Sequence, residues 1–406
     1  MWDTILIQQN RKEKEMAGLW RMLPPLMADN FGFIEVINQT DGMGIIDDCS
    51  EYRTGRERKR RTQRQEMRVV HTEMNNEDVI SGTEVKILKT FAQYQSEYDP
   101  KFVLLSAGPC SAMIGTDLEQ AAEKIEKKSN IRTAAVKLSG QKKYDMGISE
   151  TLLSLVKLLV KKEEPEDSCI NILGATKLDW QETNCKELRN WIEQEGIHIV
   201  ADFGGKETSA NMEKAAKASM NLVVSVSGIA AAKYLEKEYG TPYIVMAPFG
   251  KKSAKKLSVA LQKKNAEQFL EGYQNTAFCG IKERQEKVLI VGEQVMCNAI
   301  RETLHDECGY TNIQVCTFFI FEKSIASPGD RRIRSEEDAK KLLMENKYDL
   351  VIADPLLGKL APSGTAWIDL PHKAFELYGE TYTLPLLLGE NLDIWLEKQM
   401  KEPVIL

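Results

Sequence analysis

The chain has 406 residues and a formal net charge of −6, with 43% hydrophobic and 28% charged residues. That length supports large apolar cores without disulfide or metal staples, and the composition excludes disordered and collagen-like classes. The longest apolar stretch, Asn221–Ala232, is shorter than the about 20 residues that span a bilayer, and the N-terminus lacks the basic start and long apolar run of a secretory signal, so no membrane association and a cytoplasmic location are expected.

From Phe102 onward, short apolar runs alternate with amphipathic helical stretches. The predicted strands start at Phe102 (FVLLSA), Thr133 (TAAVKL), Ile170 (INIL), His198 (HIVADF), Asn221 (NLVVS), Tyr243 (YIVMA), Val288 (VLIV), Ile313 (IQVCTF), Asp349 (DLVIAD) and Trp367 (WIDL). Between them, Asp117–Lys128 reads as a helix with Leu118, Ala121, Ala122 and Ile125 on one face, opened by a capping box at Thr116 and Glu119. Ser335 and Asp338 give the same start signal before Ala339–Met344. Strands apolar on both faces, each followed by a helix, predict parallel sheets of the doubly wound α/β type.

Ten strands exceed one comfortable domain of this kind. The charged stretch Lys161–Ser168 (KKEEPEDS) and the long helical segment Ala254–Gln285 are natural breaks. Three α/β domains of similar size are expected: 1–165, 166–280 and 281–406. Ligands in such folds sit at the carboxyl ends of the strands. Gly205-Lys206, Gly250-Lys251 and Gly358-Lys359 all lack the Ser or Thr of a phosphate loop, and VGEQVM after the strand at Val288 is no GxGxxG fingerprint. Nucleotide chemistry on this chain is therefore disfavoured.

Eight cysteines fall at positions 49, 110, 169, 185, 279, 297, 308 and 316, none with C-x-x-C spacing. In a reducing compartment each is a buried filler or a soft metal ligand.

Three stretches carry a family signature. They are EMAGLWRMLPPL (Glu15–Leu26), the span from HTEMNNEDVISGTEVK (His71) to LLSAGPCSAMIGTDLE (Leu104), and the segment from Gly196 to Gly250 containing NLVVSVSGIAAAKYLEKEYGTPYIVMAPFG. Together and in this order they resemble the nitrogenase component 1 (dinitrogenase-type) oxidoreductase superfamily, which includes nitrogenase catalytic subunits, cofactor-assembly scaffolds and tetrapyrrole reductases. The resemblance implies three Rossmann-like doubly wound domains around a central cleft and an iron–sulfur cluster, four-iron four-sulfur in type, held at a subunit interface. It implies electrons from an ATP-dependent iron–sulfur reductase and a substrate in the cleft.

By the same resemblance Cys110 occupies the position of the family's C-P-x-x-x-I-G cysteine, and Cys49, in GMGIIDDCSEYRTG, a second ligand position. A third, earlier cysteine of the family has no counterpart here. A homodimer sharing two thiolates per chain, a heterodimer with a related subunit, or an oxygen ligand from Asp47 or Asp48 would complete the set. The family's metal-cofactor anchor, a Cys after the strand of the third stretch and a later His, falls on Ser225 and near His372. A serine does not replace a thiolate–iron bond. Nitrogen fixation and an iron–molybdenum-type cofactor are therefore not expected. Ser225 and His372 remain candidates for lining the cleft, with His372 as a proton donor.

Residues 51–68 carry eight Lys or Arg against three Glu. The run Arg53–Arg68 is read as a solvated face or a dock for an acidic partner beside Cys49. Nucleic acid is the weaker alternative, because no aromatic interleaves beyond Tyr52 and no nucleic-acid motif surrounds the run. Three functions follow: an oxidoreductase component, a metallocofactor or tetrapyrrole assembly scaffold, or an α/β binding protein without a cluster.

Overall fold

A computed structural model describes residues 20–49, 67–263, 283–375 and 383–406. The opening stretch 15–19, most of the basic run and Cys279 lie outside the described residues. The chain divides into two compact units. One comprises 27–246 with 258–273, the other the N-terminal residues to 26, 247–257 and 274–406.

The first unit opens with α1 (Asp29–Ile37) and a parallel sheet of β1 (Met43–Asp47), β2 (Val69–His71), β3 (Val103–Ala107) and β4 (Thr133–Val136), in the order β2-β1-β3-β4. The crossovers carry α2 (Asn76–Ser81), α3 (Glu84–Tyr98), α4 (Pro109–Ile114) and α5 (Leu118–Ser129). After α6 (Tyr144–Leu159), a second parallel sheet repeats the order as β6-β5-β7-β8, from β5 (Glu166–Leu173), β6 (His198–Phe203), β7 (Ala218–Val223) and β8 (Tyr243–Val245). Its helices are α7 (Gln181–Gln194), the single turn α8 (Ser209–Met212) and α9 (Ile229–Tyr239). Helix α6 buries residues all round, from Tyr144 and Ile148 to Leu155 and Leu159, because it packs against α1, β4 and α9. Gly32 and Gly147 permit the α1–α6 crossing: a Cβ at Gly147 would lie 1.8 Å from the carbonyl oxygen of Asp29.

The second unit follows α10 (Lys251–Lys263), part of which it shares with the first, and carries a six-stranded sheet. Its strands are β9 (Arg284–Val291), β10 (Tyr310–Thr317), β11 (Arg331–Arg332), β12 (Leu350–Ala353), β13 (Ala366–Asp369) and β14 (Val404–Ile405), in the order β11-β10-β9-β12-β13-β14. Only β14 runs antiparallel. Helices α11 (Gln294–Cys308), α12 (Glu336–Glu345) and α13 (Asn391–Lys401) complete it.

The doubly wound α/β reading is correct, and all ten predicted strands are present. The predicted face of α5 is the buried one. Its cap is displaced by one residue: Asp117 accepts from the Gln120 N–H, while the Thr116 hydroxyl lies 3.0 Å from that of Thr83. Ser335 caps α12 as predicted. The charged break Lys161–Ser168 contributes the exposed first residues of β5, where Glu166 pairs with Lys217 at 2.7 Å.

Candidate metal centre

In the first sheet the chain goes from β1 to β2 on one side, then crosses to β3 on the other. The crevice between the carboxyl ends of β1 and β3 is therefore the point where strand order reverses, the usual ligand position in such sheets. β1 runs out into Asp48 and Cys49, and Cys49 pairs with Met74 just beyond β2. β3 runs into Gly108 and α4, with Pro109 pre-set at the first helical position and Cys110 next. Two thiols 61 residues apart in sequence thus meet: the ligand atoms of Asp48, Cys49 and Cys110 all lie within 4.8 Å of one another.

Asp48 is buried and both cysteines are half-buried. Its Oδ1 accepts the N–H of Cys49 at 2.8 Å and of Cys110 at 3.3 Å. Burial pushes the Asp48 carboxyl above its ordinary value, opposed by those two N–H groups and by the Cys110 thiol, with the charge of Asp47 adding to the rise. Of the two aspartates considered as oxygen ligands, Asp48 joins the thiols. Asp47 points the other way, and hydroxyls engage both its oxygens: Thr72 at 2.8 Å, Thr83 at 2.8 Å and Ser111 at 2.6 Å. Hydrogen bonds to a charged group contribute about 1.5–3 kcal/mol each.

Two soft sulfurs and one carboxylate at a half-exposed edge fit part of the donor set of an iron–sulfur unit, with the remainder to come from elsewhere. Among the other described cysteines, 169, 185, 297 and 316 are buried and Cys308 is half-buried. Burial pushes their thiols up, Cys316 to about 12. That is the opposite of what a metal-binding thiolate needs.

Ser225 follows the end of β7 and is sealed at 1% exposure. Its hydroxyl donates to Asp179 Oδ2 at 2.9 Å and lies 3.1 Å from Ser227 Oγ, while the Tyr144 hydroxyl donates to the other Asp179 oxygen. His372 lies in the other unit, beyond β13, and is buried. Its N–H donates to Asp354 at 2.8 Å, its Nδ1 accepts from the Ala374 N–H at 3.1 Å, and its ring packs 4.8 Å from Phe319. The neutral ring therefore carries its proton on Nε2. A sealed hydroxyl and an occupied Nδ1 do not fit an iron–molybdenum-type cofactor.

From the basic run, Arg68 is described, and its guanidinium donates to the carbonyls of Gly42 and Tyr98 at 3.2 and 3.1 Å. Sequence reasoning did not find the hydroxyl clamp on Asp47, because Thr72, Thr83 and Ser111 are scattered and carry no motif of their own.

The chain is 28% identical over 243 residues to the nitrogenase iron-molybdenum cofactor biosynthesis protein NifE of Methanosarcina barkeri, covering 53% of this chain and 51% of that protein. It is 25% identical over 183 residues to a light-independent protochlorophyllide reductase polypeptide of Zygnema circumcarinatum, covering 42% and 35%. The chain thus spans about half or less of the length of these curated relatives. A solved structure, "Nitrogenase Cp1 at pH 6.5", has the same fold with a TM-score of 0.70 at 14% identity, covering 95% of this chain and 93% of that one. Residues 49–360 match the family described as nitrogenase component 1 type oxidoreductase. As that match covers well over half of the sequence and begins at Cys49 itself, the chain belongs to the nitrogenase component 1 type oxidoreductase family.

Proposed function

We propose that this chain is a cluster-bearing redox subunit, taking electrons from an ATP-dependent iron–sulfur reductase and passing them to a substrate other than dinitrogen. The observation that carries the reading is the meeting of Cys49, Cys110 and Asp48 within 4.8 Å at the crevice of the first sheet. Cys49 and Cys110 hold the iron as thiolates, and Asp48 offers a carboxylate oxygen beside them. A four-iron four-sulfur cluster there supplies one-electron chemistry at low potential. The protein's part is to release the thiol protons as metal binds and to keep the donors at a half-exposed edge. A second chain completes the donor set, either a homodimer whose twofold axis brings the same two thiolates again or a heterodimer with a related subunit, which puts the site at their interface.

Each of the three sheets with its helices is read as one division of the chain, at 1–165, 166–280 and 281–406. His372 keeps its reading as a proton donor. Ser225, sealed and donating to Asp179, is read as a structural hydroxyl rather than a ligand. The basic run Arg53–Arg68 serves an acidic protein partner rather than nucleic acid, and the protein works in the cytoplasm; among the described residues no helix is long and apolar enough to cross a membrane.

Iron and acid-labile sulfide analysis of anaerobically reconstituted protein, with electron paramagnetic resonance after dithionite, tests the reading. Expected are about four irons per cluster and a signal lost in Cys49→Ser and Cys110→Ser. Colourless, iron-free protein after reconstitution refutes it. A scaffold that holds a metallocluster for transfer is the second reading, favoured by relatives named for cofactor biosynthesis. Intact transfer of a bound cofactor to a partner without turnover would select it.

A further inference from the structure

We propose that Asp47 is a positioning residue for the thiol site: its buried carboxylate, gripping hydroxyls from three separate elements, fixes Cys110 relative to Cys49. The proposal rests on the metal-binding reading above and deepens it. Asp47 is 1% exposed. Oδ1 accepts from Thr72, and Oδ2 accepts from both Thr83 and Ser111. Its carbonyl accepts the Gly108 N–H at 2.9 Å.

Every one of these partners is tied to a donor-bearing piece of backbone. Ser111 follows Cys110, and Gly108 caps the same short helix. The Thr72 hydroxyl also accepts the Asp48 N–H at 3.1 Å, two residues before the Met74 that pairs with Cys49. With both oxygens occupied by hydroxyls, Asp47 acts through other residues rather than on metal. Strand alternation divides the labour: Asp48 faces the thiols and Asp47 the clamp.

Thr83 supplies a second sign. It stands at the N-cap of α3, yet its hydroxyl makes no cap bond and goes to Asp47 instead. The helix thus gives up its side-chain cap, a bond of about 1 kcal/mol, to the Asp47 carboxylate. An apolar residue at 47 would avoid burying a charge but would leave three buried hydroxyls without their acceptor.

The test is anaerobic titration of the purified, metal-free chain with cobalt(II), reading the cobalt–thiolate charge-transfer absorption. Asp47→Asn is expected to weaken cobalt binding about 10–100-fold and to alter the band, as loss of an orienting partner does. This loss is expected at temperatures where circular dichroism shows the variant folded. Ser111→Ala, which removes one hydroxyl beside Cys110, should weaken binding several-fold. A folded Asp47→Asn with wild-type affinity and band, whatever its melting temperature, overturns the proposal, because Asp47 then only holds strands together. Should Asp47→Asn fail to fold, Ser111→Ala and Thr83→Val decide, and wild-type cobalt affinity in both overturns it. Absence of any cobalt–thiolate band in the wild type, matching Cys110→Ser, is a different failure: the metal-site reading falls and takes the positioning role with it.

Discussion

Gly108 is the position where one added methyl group should damage the site most. Its backbone, with φ −86° and ψ −179°, is extended and open to any residue, so conformation does not demand glycine. Space does. A Cβ there would lie 2.0 Å from Asp48 Oδ2, 2.3 Å from its Cγ and 2.5 Å from its Cβ. Asp48 is buried and held by the N–H groups of Cys49 and Cys110. In Gly108→Ala either Asp48 swings away and loses those bonds, or α4 withdraws and takes Cys110 with it. Overpacking costs about 1–3 kcal/mol, and loss of charge-assisted hydrogen bonds adds about 1.5–3 kcal/mol each. Because relaxation relieves one at the expense of the other, about 2–4 kcal/mol in all is expected. At about 2–4 °C per kcal/mol for a unit of this size, the melting midpoint should fall by about 4–16 °C. Cobalt(II) affinity should fall at least about tenfold. Gly115→Ala, at the C-cap of the same short helix at φ 72° with nothing within 4 Å of the added Cβ, is the control. It carries backbone strain of about 1–2 kcal/mol but should leave metal binding intact. Gly108→Ala that melts and binds cobalt like wild type would refute the placement of Asp48 between the two cysteines.

Metal loading should raise the thermal midpoint, by the equivalent of about 2.7 kcal/mol at a hundredfold excess over Kd, and a chelator should reverse it; Cys49→Ser should show no such shift. Native-state thiol labelling should modify Cys49 and Cys110 while Cys185, Cys297 and Cys316 react only after unfolding, as mass spectrometry of labelled peptides would reveal. Burial raises Asp202 to about 6 from an ordinary 3.8, against the pull of Arg189. The folded state therefore binds the extra proton, and the contribution of this group to stability is fully present below about pH 4 and declines by about 3 kcal/mol as pH rises to about 6. Denaturant titrations of wild type and Asp202→Asn across that window should differ by this slope, and parallel curves would refute it. Glu336 is buried, which alone would raise it, but the N–H groups of Arg21, Met22 and Leu23 at 2.8–3.1 Å hold its carboxyl below the usual range. Its contribution is present above the unfolded value and lost as pH falls through the folded one, so Glu336→Gln should release residues 21–23 to limited proteolysis at neutral pH.

The strands were legible where burial on both faces leaves an unbroken apolar run, as in VLLSA of β3 or LVIA of β12. β1 escaped because its five residues end in Asp47 and are preceded by a Gly- and Asp-containing turn, so the run looks like loop although every residue is buried. β2 has three residues and borrows its order from pairing with β1. The cap of α5 was misplaced because Thr116 and Asp117 are both competent, and tertiary contact with Thr83 removes the first from the competition. At the site, Cys49 and Cys110 were readable through their flanking motifs. The clamp of Thr83 and Ser111 on Asp47 was not, since hydroxyls 36 and 64 residues from the carboxylate they serve leave no local pattern.

The first two sheets repeat one strand order, so each offers an equivalent crevice, between β1 and β3 in one and between β5 and β7 in the other. Side chains alone separate their fates. Beyond β7, Ser225, Asp179 and Tyr144 satisfy one another and close the position to 1% exposure at Ser225. Beyond β1, the hydroxyl network gathers on Asp47, and its neighbours Asp48 and Cys49 face Cys110 at a half-exposed edge. A buried polar network that satisfies itself has no donors to offer a metal, whereas one that stops a residue short presents them already oriented. Introducing a thiolate at Ser225 would therefore not create a metal site, because Asp179 would keep its hydrogen-bonded grip on the crevice. Ser225→Cys should bind cobalt no better than wild type, and additional cobalt–thiolate absorption in that variant would show that the closure is weaker than these contacts imply.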